Sequence, residues 1–295
     1  MSKIGLVTVL FKSDEVLDGF FAGIALQQHT NYILYLVDNS PNDKTDEIIR
    51  HCLQKYTITS CQHIKSSGNI GVAAGNNVGI YQGLKDGCSH VLLLNNDIEI
   101  EQNFVFSTLL AVCTEKGEPM AVPKIFYHPG GKLWMAGGTM NKWRALGIHT
   151  GYKQEDAPQY NVAKRITYAP TCFMLIDRSV FEKVGYMDEK YFAYYDDTDF
   201  VLRAGKKGLY IYYEPSVYIL HKVSFSSGGD DSPFYIYYSN RNKLYFIRKN
   251  LKGVVKWFAL LSTLFIRFFY LFKYDKANRK KLKEGIRDGL RYPIG

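Results

Sequence analysis

The chain has 295 residues, of which 46% are hydrophobic, enough for the buried core of one large domain or two small ones. Its net charge of +9 is uneven: residues 248–295 hold 13 Lys or Arg and 3 Asp or Glu, which leaves 24 basic and 25 acidic residues in 1–247. A nearly neutral body argues against nucleic acid as a partner, whereas the basic C-terminus favours contact with an anionic surface.

Cysteine usage indicates the redox environment. The five cysteines are Cys52, Cys61, Cys88, Cys113 and Cys172. Because no two of them have zinc-site or Cys-x-x-Cys spacing, we expect reduced thiols. Residues 1–12 run directly into a strand-like segment without a cleavable signal pattern, so we expect a cytoplasmic protein.

Apolar runs alternate with amphipathic segments through the first hundred residues. Short runs rich in β-branched or aliphatic residues predict four buried strands, at 4–10, 32–40, 58–67 and 90–97. Helical spacing predicts helices between them, at 14–29, 43–56 and 76–87. Ser13 or Asp14 is a candidate cap for the first helix. This alternation predicts βαβ units and a parallel sheet.

Polar residues follow each predicted strand, in the segments VLFKS, VDNS, SGNIG and NNDIE. One such end would indicate only a turn. Ligands of open parallel sheets bind at the carboxyl ends of the strands, however, so four polar ends indicate a ligand site along one edge.

The presence or absence of known phosphate-binding motifs limits which ligands can bind at this edge. Neither Gly-x-Gly-x-x-Gly after the first strand nor a P-loop motif is present. A carboxylate repels a diphosphate unless a divalent cation lies between them, so Asp97 predicts Mg²⁺ or Mn²⁺. Asp38 has the chemistry to accept a hydrogen bond from the imide of uracil or thymine. In residues 68–77, Gly71 and Gly75 would allow close backbone approach.

A second acidic cluster lies about a hundred residues later, where Asp196, Asp197 and Asp199 follow two tyrosines. Three carboxylates this close should raise the pKa of at least one of them, as a general base requires. The segment also begins acidic and ends basic, as a helix dipole favours, and both interpretations can hold together.

Isolated aromatic and His residues give weaker signals. His221 follows an apolar run, where a lone His is more often structural than a ligand. Residues 138–160 are rich in Gly and polar residues and predict a mobile loop. Trp134 and Trp143 would suit stacking on a sugar, and packed surface aromatics are an equal alternative.

Taken in order, these segments resemble the inverting glycosyltransferases of family 2, in particular the bacterial rhamnosyltransferase-like branch that builds surface polysaccharides. The matching motifs are VDNS at 37–40, GNIGVAAGNNVGI at 68–80, LLLNNDIEI at 92–100, FAYYDDTDFVLR at 192–203, EPSVYILH at 214–221 and NRNKLYFIRKN at 240–250. The resemblance implies an α/β GT-A fold with a mostly parallel sheet in residues 1–224. It leaves residues 225–295 as a basic, aromatic helical extension.

The resemblance also implies roles for the matched residues. Asp97 would carry most of the contact to a divalent metal, because Asn95 stands where the family's first metal-binding acid stands, and His221 would lie near the metal. Asp197 matches the catalytic base, with Asp196 in place of the usual Glu beside it. The implied nucleotide-binding residues are Thr8, Val9, Asp38, Asn39, Ser40, Asn69, Gly71, Asn76, Asn95 and Asn96.

The implied reaction is a single inverting displacement. The donor would be dTDP-rhamnose or a UDP-sugar, and the acceptor a hydroxyl of a glycan or lipid-linked glycan. Two alternatives remain open, a non-catalytic membrane-associated scaffold with the same fold and, less well supported, a sugar-nucleotide pyrophosphorylase. Homodimer formation is also left open.

The most apolar stretch is 254–273, interrupted by Lys256 and Arg267. A membrane-spanning helix needs about 20 apolar residues, so we expect this one to lie in the interface instead. The polybasic segment 276–283 would strengthen binding of residues 248–295 to anionic lipid. This predicts an enzyme peripheral to the inner face of the cell membrane, with packing on the domain or a dimer contact as alternatives.

Overall fold

Strands and helices alternate through the first part of the computed structural model, which describes residues 2–41, 44–222 and 231–294. The strands of this part are β1 (Ile4–Leu10), β2 (Tyr32–Asp38), β3 (Cys61–Lys65) and β4 (His90–Leu94). The helices are α1 (Leu17–Ala25), α2 (Lys44–Lys55), α3 (Val72–Lys85) and α4 (Val105–Glu115). The predicted alternation is confirmed.

Some predicted boundaries are wrong. Helix α1 begins at Leu17, and neither Ser13 nor Asp14 caps it. The Oγ of Ser13 accepts from the backbone N–H of Phe11 at 3.0 Å, and Asp14 accepts from the hydroxyl of Thr45 at 3.0 Å. These local bonds engage both side chains before the helix starts. Helix α3 begins at residue 72 rather than 76, so half of the glycine-rich segment is helical.

Parallel pairing brings the carboxyl ends of the first four strands to one edge. Strand β1 lies between β2 and β4 and is parallel to both, with Leu10 beside Asp38 at its end. Strand β3 continues the parallel order beside β2, with Lys65 next to Asp38. The predicted parallel half of the sheet, and the edge at which its polar ends meet, are therefore confirmed.

Helix α3 lies unusually close to β1. A Cβ at Gly79 would lie 2.3 Å from Val7 Cγ1, and one at Gly75 would lie 2.7 Å from Val9 Cγ2. Only glycine fits at these contacts, which pack the helix directly on the strand.

The later strands extend the same sheet with mixed pairing. They are β5 (Ile98–Glu99), β6 (Met120–Tyr127), β7 (Leu133–Met135), β8 (Gly138–Asn141), β9 (Leu146–His149), β10 (Lys164–Ile166), β11 (Phe173–Asp177) and β12 (Ile211–His221). The order is β10-β12-β6-β11-β4-β1-β2-β3, with β5 paired to β12 and β7 to β6. Strand β11 is antiparallel to both neighbours, and β8 and β9 form a separate hairpin.

That hairpin corrects the expectation of a mobile loop at 138–160. Its strands pair from Gly138 opposite His149 to Asn141 opposite Leu146. It packs closely on Tyr168, because a Cβ at Gly147 would lie 2.1 Å from the Tyr168 ring. The glycines that suggested a loop instead admit this aromatic ring.

Helices dominate the rest of the chain. They are α5 (Arg178–Val184), α6 (Asp196–Lys206), α7 (Pro233–Asn250), α8 (Gly253–Lys273) and α9 (Lys276–Arg291). Helix α9 packs on α7 through glycine, since a Cβ at Gly289 would lie 2.6 Å from the Arg241 carbonyl. The predicted domain boundary between residues 224 and 225 lies outside the described residues.

Helix α8 exposes most of its apolar side chains. The exposed set is Val254, Trp257, Phe258, Leu261, Phe265, Ile266, Phe268, Phe269 and Phe272. Its most apolar 18 residues have a mean hydropathy of 1.6 and are 11% buried, so by length and composition only this helix is long and apolar enough to cross a membrane. This departs from the expectation that its charges make it too short, because so few charges leave the mean hydropathy high.

Candidate active site

Asp38 ends β2 with a fully buried side chain. Its Oδ1 accepts from the backbone N–H of Ser40 at 2.8 Å, and its Oδ2 lies 3.3 Å from Nε2 of His63. Burial alone would raise the pKa of Asp38, but the hydrogen bonds from His63 and Ser40 hold it below its usual value. Asp38 is therefore an ionised hydrogen-bond acceptor at the strand edge.

His63 is part of a small charged network around Asp38. Its Nε2 also lies 3.8 Å from Asp46, whose other oxygen accepts from Lys65 at 2.8 Å. Ligand atoms of Asp38, Asp46 and His63 lie within 4.8 Å of one another, a spacing that could also hold a metal ion. At 3.8 Å, His63 is too far away to hydrogen-bond to Oδ1 of Asp46, and this buried oxygen has no partner within the described residues, so the protein's own groups satisfy the network only in part.

Four buried polar atoms near this edge lack hydrogen-bond partners within the described ranges. They are Oγ1 of Thr8 on β1, Oδ1 of Asn39, Oγ of Ser40 and Oδ1 of Asp46. Thr8 and Asn39 are 0% and 2% exposed. Leaving a buried polar group unpaired costs about 1–3 kcal/mol, so each calls for an explanation such as a polar ligand. Val9, next along β1, is only half-buried.

The glycine-rich turn before α3 packs closely on neighbouring parts of the protein. Gly71 has φ of +86°, and a Cβ there would lie 2.5 Å from the Phe192 carbonyl oxygen. Its N–H donates to Asn69 Oδ1 at 3.0 Å, and its carbonyl accepts from Asn39 Nδ2 at 3.2 Å. Gly71 and Gly75 therefore admit protein neighbours, Phe192 and a valine of β1, and their contact with a nucleotide stays a prediction.

Asn76 faces another part of the protein. Its Nδ2 lies 3.7 Å from Sδ of Met187, ahead of the second acidic cluster. The side-chain amide of the adjacent Asn77 donates to the Met187 carbonyl and accepts from the Met187 N–H, each at 3.0 Å. These contacts attach α3 to the segment before α6, and a role for Asn76 in nucleotide binding stays a prediction.

The turn after β4 brings the predicted metal ligands together. The side chain of Asn96 donates to the Val9 carbonyl at 2.7 Å, which fixes the turn to β1. The next residue, Asp97, places Oδ1 3.1 Å from Nε2 of His221. The two meet because β5 pairs with the end of β12. Asn95 is exposed beside them.

Asp97 and His221 have the chemistry of a divalent-metal site. Burial would raise the pKa of Asp97, but the hydrogen bond and charge of His221 hold it below its usual value. Nδ1 of His221 is buried without a partner in the part of the chain that the structure describes. Oxygen and imidazole donors suit Mn²⁺, and ligands at about 2.1 Å from one ion lie about 3 Å apart. Glu99 pairs instead with Lys222 at 2.5 Å.

The acidic cluster begins α6. Burial and the charge of Asp197 raise the pKa of Asp196 to about 7. Burial also raises the pKa of Asp197, although hydrogen bonds from Thr198 oppose it. Asp197 Oδ1 accepts from the Thr198 N–H at 2.5 Å, and its Oδ2 accepts from the Tyr168 hydroxyl at 3.3 Å. The prediction that crowded carboxylates raise a pKa here is confirmed.

Asp199, the third carboxylate, has a structural role. It is fully buried, and its Oδ2 accepts from Arg203 at 2.7 Å. Its Oδ1 accepts from Lys249 at 2.9 Å and from the Asn250 amide at 2.7 Å. Both oxygens are therefore occupied, and Asp199 ties α6 to the end of α7.

The loop before α6 is strained and is held by α7. Positive φ angles of +48°, +65° and +69°, which favour glycine, occur at Phe192, Tyr194 and Tyr195. Asn242 of α7 is fully buried. Its Nδ2 donates to three loop carbonyls at 2.7, 2.7 and 2.9 Å, those of Tyr191, Ala193 and Tyr194. Such strain persists only where surrounding contacts impose it, so Asn242 fixes the start of the acidic cluster.

A row of rings joins the metal ligands to Asp197. The ring of Trp134 packs edge-on against His221 at 4.6 Å and against His149 at 4.5 Å. His149 stacks on Tyr168 at 5.8 Å, and the Tyr168 hydroxyl donates to Asp197. Burial lowers the pKa of His149 to about 4, so this His is neutral at pH 7. Protein rings already contact Trp134, and its stacking on a sugar stays a prediction.

Cys172 lies close to both acidic groups. Its carbonyl accepts from the Asn95 N–H at 2.8 Å, across the β4–β11 pairing. Burial and the negative charges of Asp97 and Asp197 raise the pKa of its thiol well above the usual value. Because both carboxylates act on one buried thiol, the metal ligands and the acidic cluster border the same region.

Several contact residues were missed by sequence reasoning. His63 and Tyr168 carry no motif, and only the fold reveals that they contact Asp38 and Asp197. Asn242 lies inside the segment 240–250, which resembles the family. The resemblance pointed to this segment but not to what Asn242 does in it.

Comparisons with known proteins agree with this geometry. The profile described as "Glycosyl transferase family 2" matches residues 6–185. The N-acetylglucosaminyl-diphospho-decaprenol L-rhamnosyltransferase of Mycobacterium tuberculosis is 24% identical over 310 residues, covering 94% of this chain and 96% of the relative. The dTDP-rhamnosyl transferase RfbF of Shigella flexneri is 26% identical over 250 residues, covering 76% and 79%.

A solved structure supports the fold. The mannosyltransferase PcManGT of Pyrobaculum calidifontis, in complex with GDP-Man and Mn²⁺, superposes with a TM-score of 0.58 and 11% identity, covering 97% of this chain and 73% of that one. The α/β GT-A fold inferred from the sequence is confirmed, with its mostly parallel sheet and C-terminal helices. Because the family profile matches more than half of its residues, the chain belongs to glycosyltransferase family 2.

Proposed function

We propose that this glycosyltransferase moves a sugar from dTDP-rhamnose or a UDP-sugar to a hydroxyl of a glycan or lipid-linked glycan in cell-surface polysaccharide synthesis. The observation that carries the proposal is the order of groups along one region, from the ionised Asp38 through Asp97 and His221 to the raised-pKa Asp197. The names of the two rhamnosyl-transferring relatives support the choice of donor.

Asp38 is the proposed contact for the nucleobase. As an ionised acceptor it suits the imide N–H of thymine or uracil, because a carboxylate can only accept hydrogen bonds. The unpaired Thr8 Oγ1 and Asn39 Oδ1 near the same edge would gain partners from bound nucleotide. Ser40 holds Asp38 in position through its backbone N–H.

Asp97 and His221 would hold Mg²⁺ or Mn²⁺ beside the diphosphate, with Asn95 and Asn96 in the adjoining turn. When bound, the ion supplies Lewis-acid stabilisation of the negative charge that develops on the departing nucleoside diphosphate. The short turn fixed by Asn96 to β1 keeps the ligands beside the nucleotide edge.

Asp197 is the proposed general base. Its raised pKa makes it a better proton acceptor, and the Tyr168 hydroxyl and Thr198 N–H hold its two oxygens in a fixed orientation. It removes the proton from the acceptor hydroxyl, whose oxygen attacks the anomeric carbon opposite the leaving group. One displacement inverts that centre and needs no protein nucleophile. Burial is the main cause of the raised pKa of Asp197, and the charge of Asp197 in turn raises the pKa of the adjacent buried Asp196.

The C-terminal helices are proposed to rest on an anionic membrane at the inner face of the cell membrane. The exposed aromatic face of α8 and the basic side chains of α9 are adjacent in the chain, and together they fit an interface of apolar tails and anionic headgroups. A lipid-linked acceptor explains why such a surface is useful. Residues 225–295 are then a membrane-associating extension whose α7 also supports the active site.

The proposal is tested by incubating the full chain with dTDP-rhamnose or a UDP-sugar, Mn²⁺ and a lipid-linked glycan extract. We expect nucleoside diphosphate release that depends on acceptor. Asp197→Asn should lower transfer by about 10²- to 10⁴-fold, the usual contribution of a general base, while binding of nucleotide is unchanged. Unaltered transfer by this variant would reject Asp197 as the base, and nucleotide binding without transfer from any donor would favour a non-catalytic scaffold.

A further inference from the structure

Three cations gather near the acidic cluster. Arg144 lies in the turn of the β8–β9 hairpin, Lys243 on α7 and Arg267 on α8. No side chain of the three has an ion pair with a carboxylate in residues 2–41, 44–222 or 231–294. Lys243 and Arg267 are half-buried, and the Nε of Arg267 is buried without a hydrogen-bond partner in the same ranges.

The packing of the hairpin turn brings these three elements together. Ala145, next to Arg144, is fully buried in an apolar cluster with Phe246 of α7 and Ala259 of α8. The Ala145 carbonyl accepts from the Tyr195 hydroxyl at 3.1 Å, and the Tyr195 ring packs against Phe246 at 5.6 Å. The turn, α7 and the first half of α8 therefore meet around Tyr195, directly before the acidic cluster.

Helical spacing places Arg267 and Lys243 on the faces that point into this junction. On α8, the buried Ala259 and Thr263 precede Arg267 at four-residue intervals, so all three share one face. On α7, Lys243 lies one turn before Phe246, which packs on Tyr195. Lys243 and Arg267 are thus part of the packed junction, and the exposed Arg144 lies at its edge, next to the buried Ala145.

The three cations repel one another unless an anion lies between them. Burial and the charges of Arg267 and Arg144 lower the pKa of Lys243 to about 8. Burial raises the pKa of the Tyr195 hydroxyl, the positive charge of Arg267 lowers this pKa, and the negative charge of Asp197 raises it. Arg267 therefore borders the same tyrosine as the proposed base, and an anion bound among the three cations would relieve their repulsion.

We infer that Arg144, Lys243 and Arg267 form a binding subsite for the diphosphate of a polyprenyl-diphosphate-linked acceptor. The inference rests on the proposed function and names its acceptor class. An acceptor sugar at Asp197 would have its diphosphate at the cations and its lipid chain along the exposed aromatic face of α8. The diphosphate of the donor would lie elsewhere, beside Asp97 and His221.

Calorimetric titration of the full chain with inorganic pyrophosphate, in metal-depleted buffer at constant ionic strength, tests the subsite. Without a divalent ion, Asp97 repels the probe, so binding reports the cations. We expect one saturable site. Lys243→Gln and Arg267→Gln should each weaken it at least tenfold, and Lys243→Arg should retain it. The matched control is Arg279→Gln, which removes an exposed cation of α9 and should leave binding unchanged.

The variants are expected to fold, because removing one charge from a repelling group should raise the thermal midpoint. No saturable binding by the wild-type chain would overturn the inference. Equal weakening by the α9 control would also overturn it, since that result would indicate only general attraction to a basic surface.

Vesicles separate an acceptor diphosphate from ordinary headgroups. Neutral phosphatidylcholine vesicles containing polyprenyl diphosphate should bind the wild-type chain at least tenfold better than Lys243→Gln. Phosphatidylglycerol vesicles of equal charge should bind both alike. If Lys243→Gln loses binding equally to both, the cations contact headgroups and the inference fails. Thermal stabilisation of the full chain by dTDP or UDP with Mn²⁺ is measured separately. Its absence would show that the proposed function itself has failed.

Discussion

The proposed nucleotide side and the proposed acceptor side of this glycosyltransferase are built differently. Asp38, Asp97 and their neighbours follow directly from the ends of adjacent parallel strands, and their positions are set by backbone pairing. Asp197 follows a loop with positive φ angles, held by α7 and covered by a hairpin from a third part of the chain. Strand ends give one side a rigid common frame, whereas the other side depends on contacts between distant segments.

This difference predicts which properties a substitution on each side should affect. Replacing a residue of the nucleotide edge should affect a particular ligand contact, because the strands beneath it remain paired. Replacing a residue that supports the acidic loop should affect both stability and catalysis, because the loop has no regular structure of its own.

The largest effect in this comparison is expected on the nucleotide side, from Asp97→Asn. Loss of the carboxylate should weaken Mn²⁺-dependent binding of dTDP or UDP at least tenfold, about 1.4 kcal/mol, and lower transfer by about 10². Glu99→Gln is the matched control, since Glu99 pairs with Lys222 and His128 instead. Calorimetry with and without Mn²⁺ measures the change. Equal metal dependence in Asp97→Asn and wild type would remove Asp97 from the metal site.

Asn242→Ala tests the support of the acidic loop. Three buried carbonyls would lose their donor, so we expect a loss of unfolding free energy of about 2–4 kcal/mol and at least a tenfold fall in kcat. Asn240→Ala is the control, because within the described residues the Asn240 amide bonds only to the carbonyl of Ile236 in its own helix, at 2.6 Å. Nucleotide affinity should be retained in both. A fall in stability with unchanged kcat would show that Asn242 holds the fold but does not position Asp197.

The raised pKa of Asp196 predicts opposite trends with pH. Between the ordinary value of 3.8 and the folded value of about 7, the folded chain binds a proton that the unfolded chain has lost. Stability should therefore fall as pH rises through this window, while transfer rises as the carboxylates ionise. Asp196→Asn should reduce this fall in stability with rising pH. Thermal midpoints of both proteins from pH 5 to pH 8 measure the fall, and identical slopes would contradict the raised pKa of Asp196.

The smallest effects are expected at the membrane surface. Each basic residue near anionic lipid contributes about 1 kcal/mol, so Arg279→Gln should weaken binding to phosphatidylglycerol vesicles about fivefold. Arg50→Gln, an exposed cation of α2, is the control. Sedimentation with vesicles measures both. If the two variants bind alike, α9 is not the membrane-facing helix.

Much of the nucleotide side could be predicted from the sequence because its signals are local. Apolar runs ending in VDNS and NND gave the strands, their parallel pairing and the common edge, and the resemblance placed Asp97 with His221. The glycines of the segment 68–77 pack against Phe192 and Val9, contacts that the sequence did not reveal. Sequence spacing alone does not distinguish a protein neighbour from a ligand.

Less of the acceptor side could be predicted, because its contacts join segments far apart in the chain. The hairpin at 138–149 was taken for a loop, since its glycine content hides pairing that depends on Tyr168. Tyr168 and Asn242 act through partners 29 and about 50 residues away, and no local pattern marks such pairs.

Thermal unfolding of the full chain with dTDP, UDP, GDP or CDP, each with and without Mn²⁺, tests the central claim most directly. Ligand at about 100 times its Kd should stabilise the folded chain by about 2.7 kcal/mol. We predict a Mn²⁺-dependent rise in Tm with dTDP or UDP and little change with the other two nucleotides. No rise with any nucleotide, on folded protein, would contradict the assignment of a sugar-nucleotide site to Asp38, Asp97 and His221.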